Sequence, residues 1–319
     1  MEENTYYNRR NSKDEIRYVG RWESEYPKRL LAISNPPAGI YVKGRLPEED
    51  RLTVGMVGAR MCSEYGRSAA REFAGALASA GVQIISGMAK GIDGISQREA
   101  IAAGGSTFGV LGCGLDVIYP VQNREIFEKI CERGGLISEF SPDTPPIARN
   151  FPIRNRIISG LSDILLVIEA GEKSGTGITV TRALEQGKDI YALPGRIYDS
   201  LSAGCNRLIC QGAGIALSPS EFMKNLEVRY EKLLEKSKIN GKFDENKHCV
   251  LRTGRNKKNI NMLEKKEKVV YSGLDLYPKD LENIALETGM NISEILEILI
   301  KLELKGYIRE EGKNHYIRF

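Results

Sequence analysis

The stretch Ala148–Asp163, ARNFPIRNRIISGLSD, sets three arginines (Arg149, Arg154, Arg156) and two asparagines (Asn150, Asn155) around one aromatic ring, Phe151. Guanidinium groups are planar forks whose donors match phosphate oxygens two at a time. A phenyl ring among them offers a face on which a base can stack. These residue types fit a phosphate-and-base contact surface. The competing reading is a solvated basic loop ahead of an ordinary helix, since short charge clusters are common on surfaces. Pro152 fixes its own φ and biases Phe151 toward an extended backbone. The segment is therefore expected as a presented loop, with helix only from Arg156 to Leu161.

The elements that must position these residues alternate regularly. Leu52–Val57, Val82–Ser86, Ser106–Leu111, Gly135–Glu139, Ile164–Glu169 and Asp189–Ala192 are short apolar runs that read as buried strands. Helical spacing fills the intervals between most of them, as in Ala69, Phe73, Ala76, Leu77 and Ala80. Such alternation predicts an α/β, Rossmann-like, mostly parallel sheet with helices on both faces. Ligands of these sheets bind at the carboxyl ends of the strands. Gly58, Gly87, Gly112 and Gly175 all follow strand ends, so they are expected to ring one crevice, where close backbone approach lets N–H groups converge on an anion. Arg60 and Lys90 bring cations from two further loops to the same rim. For each cation the plain alternative is a surface ion pair.

Several chemistries are argued against. Val54–Arg60 (VGMVGAR) is not G-x-G-x-x-G, and the second strand ends in Ser86-Gly87 rather than in an acid for a ribose. There is no P-loop motif, and both histidines lie in the C-terminal quarter, away from the α/β body. The six cysteines are scattered without a C-x-x-C pair, which argues against a structural metal site and fits reduced thiols in a cytoplasm. No apolar run is long enough to span a bilayer, and the N-terminus does not read as a signal peptide. No cofactor is expected.

Charge divides the 319 residues into regions. Residues 1–220 carry 26 Lys/Arg against 25 Asp/Glu, residues 221–270 carry 14 against 8, and residues 271–319 carry 6 against 9. Any nucleic-acid contact in the balanced body must come from a local patch. The expected domains are a polar, unstructured segment 1–21, a Rossmann-like domain 22–218, a basic linker 219–268 with one helix near 221–237, and a winged-helix-like module 269–319. In that module Ser293 is read as the N-cap of the second helix, and Glu311–Asn314 as the turn of the wing. Its negative balance points away from duplex binding and toward protein contact.

The blocks VGAR…SEYG (57–66), SGMAKGIDGISQREA (86–100), GVLGCGLDVIYPVQN (109–123), GLISEF (135–140), FPIRNRIISGLSD (151–163), VIEAGEKSGT (167–176), ALPG (192–195) and GCNRLICQGA (204–213) run in the order of the DprA (Smf) family. The resemblance covers about residues 22–217. It implies a DNA-processing protein that binds and protects single-stranded DNA and loads RecA onto it in natural transformation, acting as a homodimer without known catalysis. Under it, Arg60, Lys90, Arg149, Arg154 and Arg156 would neutralise phosphates and Phe151 would stack on a base. Gly58, Ser86, Gly87, Ser174 and Gly175 would offer donors, and Leu208, Ile209 and Ile215 would form the dimer contact. The chain departs from the family in two ways. About twenty polar residues stand in place of the usual sterile-alpha-motif-like domain, and Ser96-Gln97 stands where histidine is common. The second functional reading is a nucleoside-monophosphate phosphoribohydrolase of the lysine-decarboxylase-like group, in which Glu169 assists N-glycosidic cleavage.

Overall fold

The computed structural model describes residues 15–172, 174–240, 263–275, 278–310 and 314–318. The chain divides into two units, Met1–His248 and Cys249–Phe319.

The first unit contains β1 (Ile16–Gly20), α1 (Lys28–Leu31), β2 (Gly39–Gly44), β3 (Thr53–Val57), α2 (Glu64–Ser79), β4 (Gln83–Ser86), α3 (Ile92–Ala102), β5 (Thr107–Leu111), α4 (Arg124–Lys129), β6 (Gly135–Ser138), α5 (Asn150–Leu161), β7 (Ile164–Val167), α6 (Thr176–Glu185), β8 (Asp189–Ala192), α7 (Ala203–Cys210), β9 (Gly214–Ile215), α8 (Pro219–Arg229) and α9 (Glu231–Asn240). Nine strands form one sheet in the order β1-β2-β6-β5-β4-β3-β7-β8-β9. β2 is antiparallel to β1 and to β6, and every other pairing is parallel. Alternating side chains send Val54, Met56, Ile84, Ile164 and Leu166 into a core beneath α2 and α8. Val57, Ile85, Leu165 and Val167 point the other way, into a core with Ile157, Ile158 and Leu161 of α5. Both faces are covered, which is why these strands read as unbroken apolar runs.

Three boundaries differ from the sequence expectation. Residues 16–20, placed in the unstructured segment, form β1, in register with β2 from Ile16 opposite Lys43 to Gly20 opposite Gly39. Val19 is 1% exposed. The strand was hidden because five residues among polar flanks carry little periodicity, while β2 needs its edge covered. Residues 219–240, placed in the linker, form α8 and α9, and Phe222, Leu226 and Leu234 are buried in the first core. Their sparse apolar positions become meaningful only against α2 and β8. Finally, α5 begins at Asn150, six residues earlier than expected. Pro152 lies in its first turn, where the missing N–H would have no intrahelical partner anyway, so the local bias at Phe151 yields to the helix. Residues 1–14 and 241–262 lie outside the described residues.

The second unit contains α10 (Lys265–Ser272), β10 (Lys279–Asp280), α11 (Leu281–Thr288), α12 (Ile292–Leu304), β11 (Ile308–Glu310) and β12 (His315–Arg318), with sheet order β10-β12-β11. Helices followed by a small antiparallel sheet make a winged helix. Its core gathers Val270, Ile284, Ile295, Leu299 and Leu302. Asn291, not Ser293, caps α12, its side chain accepting from Glu294 N at 2.8 Å. The module starts earlier than expected, at the capping box of Glu264 and Glu267. The wing turn at residues 311–313 lies outside the described residues.

Candidate nucleic-acid interface

β3 is the strand where the winding reverses. The chain builds outward from β3 through β4 and β5 to β6, then returns past β3 to lay down β7, β8 and β9. A crevice opens at the carboxyl ends beside such a switch point. Here it is a cleft of about 740 Å³ lined by Gly58, Arg60, Phe151, Arg154, Ser174 and Gly175 among others. A smaller hollow of about 200 Å³ adjoins it over the ends of β4 and β5 and is lined by Arg60, Lys90, Gly112, Tyr119 and Phe151 among others. Loops far apart in sequence thus reach one rim, as the glycine positions implied.

Phe151 is the common wall of the two hollows. The guanidinium of Arg60 lies 5.7 Å from its ring centre, and Tyr119 packs against it at 5.7 Å with the planes 44° apart. A Cβ on Gly112 would stand 2.8 Å from the ring, so only glycine lets Phe151 lie this close to the β5 end. Arg60, Lys90 and Arg149 are exposed and have no ion-pair partner among the described residues. Arg60 and Lys90 line the hollows, whereas Arg149, the residue before α5, lines neither.

Arg154 and Arg156 depart from the expectation of open phosphate ligands. Arg154 is 3% exposed. Its Nη1 donates to Gly87 O at 2.6 Å and to Val110 O, tying the ends of β4 and β5 together. Asp93, in the first turn of α3, accepts from Gly87 N at 3.0 Å. Both charged groups crowd Gly87, where a Cβ would meet Arg154 Nη1 at 2.6 Å and Asp93 Oδ2 at 2.7 Å. Burial pulls Arg154 down to about 10, which leaves it charged at neutral pH. Burial likewise pushes the Asp93 carboxyl up, against the pull of Arg154. Arg156 is bound to Glu139 at 2.6 Å and donates to Asn35 O at 2.7 Å. One helix turn explains the difference: α5 aims Phe151 at the crevice mouth, and the arginines three and five residues later point into the sheet end and toward Asn35.

The donor residues also divide. Ser86 is fully buried, its hydroxyl donating to Met56 O at 2.6 Å, so it braces β3 against β4. Gly87 has both backbone groups committed to Asp93 and Arg154. Gly58 lines the cleft but is required by packing, since a Cβ would lie 2.6 Å from Ile92. Ser174 is different: its hydroxyl is shielded yet has no hydrogen-bond partner among the described residues, and it sits with exposed Gly175 at the start of α6 on the crevice wall. Glu169 is 2% exposed, and its carboxylate takes the Ser63 N–H at 3.0 Å and the Ser63 hydroxyl at 2.5 Å. Burial holds its carboxyl above the ordinary range. Its geometry is that of a brace for the loop after β3. Leu208 and Ile209 are half-buried against the second core, while Ile215 on edge strand β9 is 45% exposed.

Sequence reasoning passed over the support of the Lys90 loop. Met88 adopts φ 55°, a conformation costly for a side chain of that kind. It is fully buried, and Asn123 Nδ2 donates to both Met88 O and Ala89 O at 2.9 Å. Only Asn123's place among the quoted blocks (109–123) hinted at this task. No group of three or more His, Cys, Asp or Glu side chains among the described residues is placed to hold a metal ion. None of the described helices is long and apolar enough to cross a membrane.

The chain matches the family model of DNA recombination-mediator protein A over residues 17–227, and that of the DprA winged helix domain over residues 258–312. It is 37% identical over 284 residues to protein Smf of Escherichia coli, an alignment covering 89% of this chain and 72% of that protein. The fold is similar to that of DNA processing protein A from Streptococcus pneumoniae, with a TM-score of 0.62, 36% identity, and coverage of 66% of this chain and 75% of the other. It is also similar to DNA processing protein A from Helicobacter pylori, whose structure concerns that protein's single-stranded DNA binding mode; the TM-score is 0.61, identity 29%, and coverage 68% and 97%. With its Rossmann-like sheet, its winged helix and both family models in sequence order, the chain belongs to the DNA recombination-mediator protein A family, the DprA or Smf proteins of DNA processing.

Proposed function

We propose that this protein binds single-stranded DNA along the crevice at the carboxyl ends of the sheet and delivers it to RecA. One observation carries the DNA-binding part: two exposed cations from separate loops, Arg60 and Lys90, line hollows that share one aromatic wall, Phe151, at the switch point, and exposed Arg149 immediately precedes the helix that carries that ring. Cations supply affinity through the phosphates, and an aromatic face accepts any base, a combination suited to a strand without sequence preference. Ser174 Oγ and the start of α6 add donors for a phosphate oxygen. The single-strand binding of the Helicobacter pylori relative supports the reading. Delivery to RecA rests on the family resemblance, as does action as a homodimer through Leu208, Ile209 and Ile215.

The test is a mobility-shift titration of single- and double-stranded oligonucleotides at two salt concentrations. Arg60→Ala and Lys90→Ala should each weaken single-strand binding several-fold at low salt, and the deficit should shrink as salt rises, because each contact releases counterions. Unchanged affinity in both variants at low salt would sink the site. The phosphoribohydrolase reading lacks a comparable observation, since Glu169 is spent on Ser63. Release of free base from a nucleoside monophosphate would revive it.

A further inference from the structure

The sheet order brings one more pair of side chains to the crevice rim. Because β2 is antiparallel to both neighbours, β1 runs in the same sense as the parallel strands. Its carboxyl end, Gly20, therefore emerges on the same edge as Gly58, Gly87 and Gly112, and Arg21 and Trp22 follow at once. Trp22 is 88% exposed, although an indole in water forgoes a large burial gain. The guanidinium of Arg21 lies 4.7 Å from its ring centre. The turn beneath them is built: Arg21 N donates to Ala38 O at 2.9 Å, Glu23 N to Gly20 O at 3.0 Å, and Gly20 N to Glu23 Oε1 at 2.8 Å. Nearby acids are engaged, Glu25 by Arg17 and Glu139 by Arg156, whereas Arg21 has no ion-pair partner among the described residues. An exposed, ordered, cation-backed indole on the rim of a strand-binding crevice matches the chemistry that holds unstacked bases.

We propose that Arg21 and Trp22 form an outlying base-stacking platform for single-stranded DNA. It takes a base from the segment that leaves Phe151 and crosses the ends of β5, β6, β2 and β1. The inference rests on the crevice reading above. Three strand spacings separate β5 from β1, about 14 Å. At the roughly 3.4 Å per nucleotide of a stacked strand, about four nucleotides bridge that distance. The loops after β5 and β6 carry exposed Asp116 and Asp143, so the strand crosses with its bases toward the protein and its phosphates outward.

Trp22 is the only tryptophan in the chain, so intrinsic emission reports on this platform alone. Full-length protein is titrated with oligothymidylates of about three and about twelve nucleotides, sizes below and above the span required. Fluorescence anisotropy of labelled DNA reads binding, and tryptophan emission reads contact. The longer strand should quench Trp22 at saturation and the shorter should not. Trp22→Ala should weaken the longer strand about five-fold or more and leave the shorter unchanged, with Trp22→Phe recovering part of the loss. An exposed side chain spares the fold in both variants. If the wild type binds the longer strand, is weakened several-fold by Arg60→Ala, and yet shows silent emission and unaltered affinity on Trp22→Ala, the platform is overturned and the crevice stands. If the wild type binds neither strand, both readings fall.

Discussion

Arg154 separates two ways in which a crevice arginine can matter for DNA binding. Replacing it by methionine keeps most of the apolar stem and removes the guanidinium. Two buried carbonyls, Gly87 O and Val110 O, then lose their donor, at about 1–3 kcal/mol each. Asp93 loses the cation that steadies it, and breaking a buried charge coupling costs about 3–5 kcal/mol. These contributions share partners and do not add, so a loss of about 3–5 kcal/mol is expected, a large part of a typical domain's stability. The pH dependence has a definite sign. Burial already raises Asp93 in the folded state, and without Arg154 it rises further, so the folded variant binds the proton more tightly than the unfolded chain. The deficit should therefore be smallest below the unfolded carboxylate value of about 3.9, and should grow as pH rises from there through the folded value. Urea unfolding followed by circular dichroism at mildly acidic and mildly alkaline pH measures this, with Arg60→Met as the exposed control, expected within about 0.5 kcal/mol of wild type. If Arg154→Met unfolds at the wild-type urea concentration but loses single-strand affinity, Arg154 contacts DNA directly and the bracing argument is wrong.

Two further outcomes follow from the packing. Ending the chain after Ser218 exposes the surface that Phe222, Leu226 and Leu234 cover, and should destabilise the body by roughly 5 kcal/mol. Ending it after Asn240 removes 15 Lys/Arg against 13 Asp/Glu and should keep both stability and most single-strand affinity at moderate salt, where the weak contact of a basic linker is screened; a large loss of affinity in that longer truncation would make the removed segment a DNA contact. Ile215→Arg places a charge on the exposed edge strand β9 without entering the core, and should give a monomer in sedimentation if the homodimer uses that edge; a persistent dimer would place the contact elsewhere.

The alternation of apolar runs and glycine-ended turns was enough to read the α/β body and its crevice edge. A buried parallel strand needs no partner information to be apolar along its whole length, and a turn that must approach an anion or a ring needs glycine wherever it folds. The winged helix was legible for a similar local reason, since a 3.6-residue period lies within α11 and α12, although the cap of α12 falls at Asn291 rather than Ser293 and α10 was not legible. β1 was not legible, and the helix read near 221–237 was not recognisable as α8 and α9 packed on the body, because five or ten residues with few apolar positions acquire meaning only when an edge or a helix face is there to receive them. The sequence marks the cations but not their tasks. In sequence Arg149, Arg154 and Arg156 look alike. Starting α5 at Asn150 turns one outward, buries the second beneath Gly87 and gives the third to Glu139. Burial decides whether a guanidinium remains available to a phosphate, and burial belongs to the tertiary structure.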